Sequence, residues 1–147
     1  MSTKFKAWNI RDLSINLNAI PLDDGGYAED EVMTLEWAED QFTAYVGADG
    51  EVSRANTNNA MATVTLKYAQ TAAANDRLSA LLQADLTAPN GAGAGMFSAR
   101  DKKGRLVILS ERSWIQGFPG YTAGKSITVV EWKIQLANAS TSFIGGR

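Results

Sequence analysis

The sequence predicts a mainly β domain, a β-sandwich or barrel, with one α-helix and a long hairpin arm. Three observations carry that expectation. Between residues 62 and 68, Ala62, Val64, Leu66 and Tyr68 alternate with Thr63, Thr65 and Lys67, the period-two signature of a half-buried strand. The segment that follows reads as a helix. Asn75 is placed as its N-cap, Asp76 suits the positive end of the helix dipole, Leu78, Leu81, Leu82 and Leu86 form an apolar stripe, and Pro89 bars continuation. Upstream, Asp49-Gly50 stands between Tyr45-Val46 and Val52 and supplies the positive φ values that a two-residue type I′ hairpin needs.

The remaining elements follow in chain order. Leu13, Ile15 and Leu17 alternate with Ser14, Asn16 and Asn18, giving a first strand ahead of Pro21. Asp23-Asp24-Gly25-Gly26 marks a turn. A second strand over 32–37 sets Met33, Leu35 and Trp37 against Val32, Thr34 and Glu36 on the opposite face. The arm over 39–59 is polar and offers only Phe42, Tyr45, Val46 and Val52 for burial. An isolated hairpin is marginal in water, so the arm is expected to lean on something, a neighbouring subunit above all. Beyond the helix, 90–95 is a glycine-rich connector, and 96–100 with 106–110 flank Asp101-Lys102-Lys103-Gly104 as a second hairpin. Residues 114–123 read as loop, interrupted by Gly117, Pro119 and Gly120. The last strand, 126–137, places Ile127, Val129, Glu131, Lys133 and Gln135 on one face and Val130, Trp132, Ile134 and Leu136 on the other. The ending Phe143-Ile144-Gly145-Gly146-Arg147 is expected to be tethered through Phe143 and Ile144. With no repeat or linker visible, residues 1–147 read as a single domain whose helix covers an open end or edge of the sheet.

A chain of 147 residues can bury a core without help from metal or disulfides. It contains no cysteine and no histidine, which excludes disulfides, thiolate metal sites and every Ser-His or Cys-His nucleophile. The expectation is a protein that is not an enzyme and takes no cofactor. No apolar run approaches the roughly 20 residues needed to span a bilayer, and the polar start is not a signal peptide, so a soluble cytoplasmic product is expected. The net charge of −2 hides an asymmetry: between Asp12 and Ser53 there are eleven acidic residues and no Lys or Arg, while the remainder holds fourteen basic and five acidic ones. Such a division suits self-association between the acidic part of one copy and the basic part of the next, or two solvated faces of a monomer.

Motifs that would carry chemistry fail on inspection. Pro119 to Ser126 ends like a phosphate-binding loop, but Pro119 takes the first glycine position and a strand follows where a helix N-terminus is needed. Gly91, Gly93 and Gly95 imitate a dinucleotide fingerprint, but Met96 replaces the last glycine and the loop follows a helix. The acidic residues Asp23, Asp24, Glu29, Asp30 and Glu31 do not have the spacing of a calcium loop and read as solvated. Nothing singles out two of the sixteen carboxylates as an acid–base pair. The basic turn 100–105 lacks aromatic platforms for nucleic acid and suits a protein contact.

The run 46–54, Asn75-Asp76 with Leu78-Ser79-Ala80-Leu81, and the ending Phe143-Ile144-Gly145-Gly146 resemble a family of bacteriophage structural proteins, the tail tube proteins, usually of contractile tails. The resemblance covers residue 13 to the end. It implies a tail tube fold, hexameric rings stacked head to tail into a hollow tube, an inner β-barrel shared by the subunits, and a hairpin reaching the adjacent ring. On that reading Phe42, Tyr45, Asp49, Gly50, Glu51 and Arg54 form the inter-ring arm. Ser14, Asn16, Asn18, Glu36, Thr63, Thr65, Lys67, Glu131, Lys133 and Gln135 are then the candidates to line a channel that genomic DNA passes without specific binding. The implied partners are further copies of the chain, a tape-measure protein, a tail sheath protein, and baseplate and tail terminator proteins, with no membrane in the assembled tail. The implied location is the virion tail, assembled in the host bacterial cytoplasm. Two other readings stay open: the hexameric tube protein of a secretion or pyocin-like contractile injection machine, and a monomeric small-molecule-binding β-barrel.

Overall fold

The computed structural model describes residues 8–23, 25–88, 93–102 and 106–143. A short 3-10 turn, Ile10–Asp12, leads into β1 (Leu13–Leu17) and the two-residue β2 (Ile20–Pro21). Next come β3 (Met33–Trp37), β4 (Phe42–Val46), β5 (Val52–Asn56), β6 (Ala62–Ala69) and α1 (Ala73–Thr87). The chain ends in β7 (Gly95–Asp101), β8 (Leu106–Ile115), β9 (Val129–Ala137) and β10 (Ser140–Phe143). The expected Pro89 stop, much of the glycine connector, the tip of the second hairpin, Asp24 of the first turn and the tail from Ile144 lie outside the described residues.

All strands except β4 and β5 join one antiparallel sheet in the order β2-β1-β7-β8-β9-β6-β3, with β10 also on β8. Alternation in the sequence becomes alternation in burial. On β6 the side chains of Ala62, Val64, Leu66 and Tyr68 are buried, and on β9 those of Val130, Trp132, Ile134 and Leu136. These join Leu13, Ile15, Leu17, Phe97, Ala99 and Ile108 in one apolar core on the inner face of the sheet. The segment after β2 ties the two ends of the sheet together: Leu22 donates its N–H to Ile15 O at 2.8 Å, and its own carbonyl accepts from the buried Tyr68 hydroxyl at 2.6 Å. Tyr27 stacks on Tyr68 with ring centroids 5.7 Å apart. The result is the expected mainly β, barrel-like fold with one helix.

Helix α1 covers the core through Ala74, Leu78 and Leu82, an i, i+4, i+8 stripe. Burying each of the two leucines stabilises by about 1.5–3 kcal/mol. The stripe differs from the expected one at its end, because Leu86 is 66% exposed and Leu81 only partly buried. The cap differs too. The helix starts at Ala73 behind Ala72, which makes no side-chain cap, and Asn75 lies inside the first turn. There Asn75 Nδ2 donates to Ala69 O at 2.9 Å and Asn75 Oδ1 accepts from Trp132 Nε1 at 2.9 Å. A buried indole needed an acceptor, and that demand outweighed capping. Arg77 Nη1 reaches Pro21 O at 3.1 Å, so the helix is tied to both β9 and β2.

Other boundaries move for identifiable reasons. Val32 is buried but precedes β3, so it does not share the outward face of Thr34 and Glu36. Strand β8 continues through Trp114 and Ile115, read from the sequence as loop, because both pair with β9. Strand β9 starts at Val129, later than expected, and Ile127 stays outside it and exposed. The left-handed Asn138 (φ 50) breaks the strand between β9 and β10, and the Ser110 hydroxyl accommodates the break, 2.7 Å from Ala137 O. Phe143, the last residue of β10, pairs through its backbone with Leu106 of β8, yet its side chain is 81% exposed and does not act as the expected tether.

Candidate assembly surfaces

Strands β4 and β5 form a separate two-stranded sheet, and every residue in both is exposed. The pairs Phe42↔Asn56, Ala44↔Arg54 and Val46↔Val52 put Phe42, Val46, Val52 and the Arg54 stem on one face of the arm, and Tyr45 on the other. The Arg54 guanidinium sits 4.3 Å from the Phe42 ring centroid, a cation–π contact across the ladder. Phe42 (49%), Tyr45 (72%), Val46 (63%) and Val52 (66%) remain exposed. The arm therefore presents an apolar face with no cover from its own subunit. At its base the Thr57 hydroxyl donates to Asp40 O at 2.8 Å and the Thr57 N–H to Gln41 O at 3.0 Å, fixing where the hairpin leaves the body.

The arm tip is not the expected two-residue turn. Gly50 N–H donates to Gly47 O at 2.9 Å and Gly47 N–H to Glu51 O at 2.8 Å, and only Gly50 of the Asp-Gly pair has positive φ (+89°). That is the pattern of a three-residue hairpin loop ending in a left-handed glycine. Asp49 Oδ1 accepts from Glu51 N–H at 3.0 Å, so the local side-chain bond replaced a second left-handed residue. A two-residue primed turn does occur in the chain, at Asn18 (φ 49) and Ala19 (φ 65) between β1 and β2.

The candidate channel residues fall into two groups. Glu36, Thr63 and Gln135 share one cross-strand row over β3, β6 and β9; Thr65 pairs with Lys133, and Lys67 with Glu131. Thr63 Oγ1 lies 3.4 Å from Gln135 Oε1, and Gln135 Nε2 donates to Gln116 at 3.1 Å. Lys67 Nζ is 3.0 Å from Glu31 Oε2 and 3.8 Å from Glu131 Oε1. Its pKa is raised, chiefly by the hydrogen bond to Glu31. Ser14 and Asn16 lie on the same outer face but across β7 and β8, and exposed Met96 and Leu109 stand between the two groups. Asn18 is not in a strand: it sits in the turn, packed so closely on Gly95 that any side chain there would run into it.

Sequence reasoning read 114–123 as loop and set 119–126 aside as a failed phosphate-binding loop, but gave the 116–128 segment no part in assembly. It joins β8 to β9 and carries exposed Phe118 (53%), Tyr121 (66%) and Ile127 (68%). Its base is pinned: Gln70 N–H donates to Thr128 O at 3.0 Å, Thr128 N–H donates back to Gln70 Oε1 at 2.7 Å, and the Thr128 hydroxyl is 2.7 Å from Thr122 O. Between the loop and β9 lies a concavity of about 580 Å³ lined by Gln116, Phe118, Pro119, Val129, Glu131 and Lys133. Three large apolar residues in a loop broken by glycine and proline were the available signal. As for the acidic residues before β3, no group of carboxylates placed to hold a metal ion occurs among the described residues.

Comparison with known proteins adds to this geometry. A family model described as the bacteriophage PhiTE tail tube protein matches residues 18–143. The chain is similar to "Structural protein ORF10" of Pseudomonas phage KPP10, with 30% identity over 115 residues, 78% of this chain and 66% of that protein, just under two thirds of its length. Among solved structures it resembles the tube-terminating cap of the anti-feeding prophage (TM-score 0.60, 8% identity, covering 97% of this chain and 95% of that one). It also resembles a sheath/tube terminator of an extracellular contractile injection system (TM-score 0.58, 8% identity, 96% and 99% covered). A chain in the virion of a gene transfer agent particle gives a TM-score of 0.54 at 14% identity, with 95% and 100% covered. At such identities these likenesses establish the fold.

Proposed function

The chain belongs to the bacteriophage PhiTE tail tube protein family, and on that premise we propose that it is the repeating subunit of a tube made of stacked hexameric rings. Its work is geometric and not enzymatic: it assembles into a wall. The observation that carries this reading is the arm, a hairpin whose apolar face is exposed along its whole length in the isolated subunit. A two-stranded ribbon is marginal in water, and a subunit of an adjacent ring supplies the surface it needs. Heterologous contacts of this kind do not close on themselves and so generate a filament.

The polar side chains over β3 and β6, with Gln135 beside them on β9, suit the channel wall, while Lys133 belongs to the concavity beside the 116–128 loop. Thr63, Thr65 and Gln135 are small or uncharged, and Lys67 sits among Glu31 and Glu131, so the surface offers passing DNA no unbroken run of positive charge. Around such a tube, a tape-measure protein inside, a sheath outside, and baseplate and terminator proteins at its ends are the partners that the reading requires. Negative-stain electron microscopy of the purified protein over a range of concentration and salt tests it. Hollow tubes are expected; discrete rings that never stack would point to a tube cap, and a uniform monomer even with tape-measure and baseplate proteins present would overturn it.

A further inference from the structure

The register of β6 places the arm and the 116–128 loop at opposite ends of the subunit. Ala62, next to the arm, pairs with Leu136, and Ala69 pairs with Val129, where the loop enters β9. The two exposed apolar surfaces are therefore separated by the length of an eight-residue strand, about 25 Å. An element that projects from one end and a receptive surface at the other is the arrangement that head-to-tail stacking requires.

We infer that the 116–128 loop of one subunit, with the concavity between it and β9, is the seat for the arm of the subunit stacked on it. This rests on the tube reading and names the receiving surface. Apolar character matches: Phe42, Val46 and Val52 on the arm face Phe118, Tyr121 and Ile127 on the loop, all of them exposed in the single subunit. Charge matches as well. The arm tip carries Asp49 and Glu51, while Lys125 is the one charged residue of the loop and Lys133 lines the concavity. The ion pairs among the described residues are those of Lys67 with Glu31 and Glu131, so Asp49, Glu51, Lys125 and Lys133 enter none there. Glu131, the acidic residue of the concavity, is drawn to Lys67. The pinning of the loop through Gln70 and Thr128 makes the seat a formed surface, and so lowers the ordering cost of binding.

Charge exchange tests the contact. Asp49→Lys with Glu51→Lys, and separately Lys125→Glu, are each expected to cut tube formation about tenfold, the effect of 1.4 kcal/mol per contact. Combining them is expected to restore tubes. Phe118→Asp, at an exposed position, is expected to leave the thermal midpoint unchanged and stop assembly before stacking. Because the chain has no cysteine, Glu51→Cys with Lys125→Cys and a flexible bismaleimide gives a second readout, a ladder of covalent oligomers. Wild-type tubes whose Phe118→Asp and combined charge variants behave opposite to these expectations, with no ladder, would overturn the seat and leave the tube reading standing. Absence of any ring or tube from the wild type with its partner proteins would overturn both.

Discussion

Replacing Asn75 by Ala should destabilise the subunit through a residue it does not itself bury. Trp132 is 3% exposed, and its indole N–H has Asn75 Oδ1 as acceptor at 2.9 Å. Ala69 O, the other partner of Asn75, keeps the Ala72 N–H at 3.0 Å, so the loss falls on the indole. A buried donor left without an acceptor costs about 1–3 kcal/mol, and the better helix propensity of Ala returns roughly 0.5 kcal/mol. The net is a loss of about 0.5–2.5 kcal/mol, or some 2–4 °C in thermal midpoint per kcal/mol for a domain of this size. Urea unfolding of the wild type, Asn75→Ala, Trp132→Phe and the double variant isolates the pair. With phenylalanine at 132 there is no N–H to orphan, and Asn75→Ala should then be close to neutral, giving a coupling of about 0.5–2.5 kcal/mol. Equal costs of Asn75→Ala in both backgrounds would refute the assignment and return Asn75 to a purely local role in the first helical turn.

Four further outcomes follow from the same geometry. Leu78→Ala should cost about 2–5 kcal/mol because Leu78 is 1% exposed, whereas Leu86→Ala at 66% exposure should stay within about 0.5 kcal/mol; denaturant midpoints at constant slope check both. Gly50→Val forces a β-branched residue to φ +89° and should accelerate hydrogen exchange at the Gly47 and Gly50 amides while leaving the midpoint of the body unchanged. The folded state raises the Lys67 pKa above its ordinary 10.5. The small stabilisation from its ion pairs is therefore complete below that pH and is lost as pH rises through the raised value, so the stability gap between wild type and Lys67→Met should close in strong alkali and in high salt. Asp49→Lys with Glu51→Lys should leave the monomer folded, since both side chains are exposed and only the Asp49 bond at the arm tip is lost, while impairing tube growth seen by electron microscopy; unaltered tubes would remove the arm from the contact.

Period-two alternation was legible because a strand buried on one face dictates its own pattern, and Ala62 to Tyr68 and Val130 to Leu136 display it without ambiguity. The existence of the helix, the projecting arm and a sheet-dominated fold came from the same local rules. The extent of β8 did not, because Trp114 and Ile115 are strand only by virtue of their partners on β9, a pairing remote in sequence. Nor did the use of Asn75: a side chain suited to capping is equally suited to accepting from an indole, and only the packing of Trp132 against the first turn decides between them. The turn at Asp49-Gly50 shows the same limit on a smaller scale, since the dipeptide permits two loop lengths and the Asp49 carboxylate selected the longer.

The candidate surfaces divide in the same way. Sequence alone determined that the arm is polar at its tip, apolar on its stems and too thin to stand by itself, because those are properties of its own residues. It also determined that Thr63, Thr65 and Lys67 share the outward face of β6. What the tertiary structure decided is adjacency: strand order set Met96 and Leu109 between Asn16 and Gln135 and so broke one supposed polar wall into two. The register of β6 against β9 set the arm and the 116–128 loop at opposite ends of the subunit. Strand order and register arise from contacts between residues far apart in the chain, whose joint free energy no local window contains.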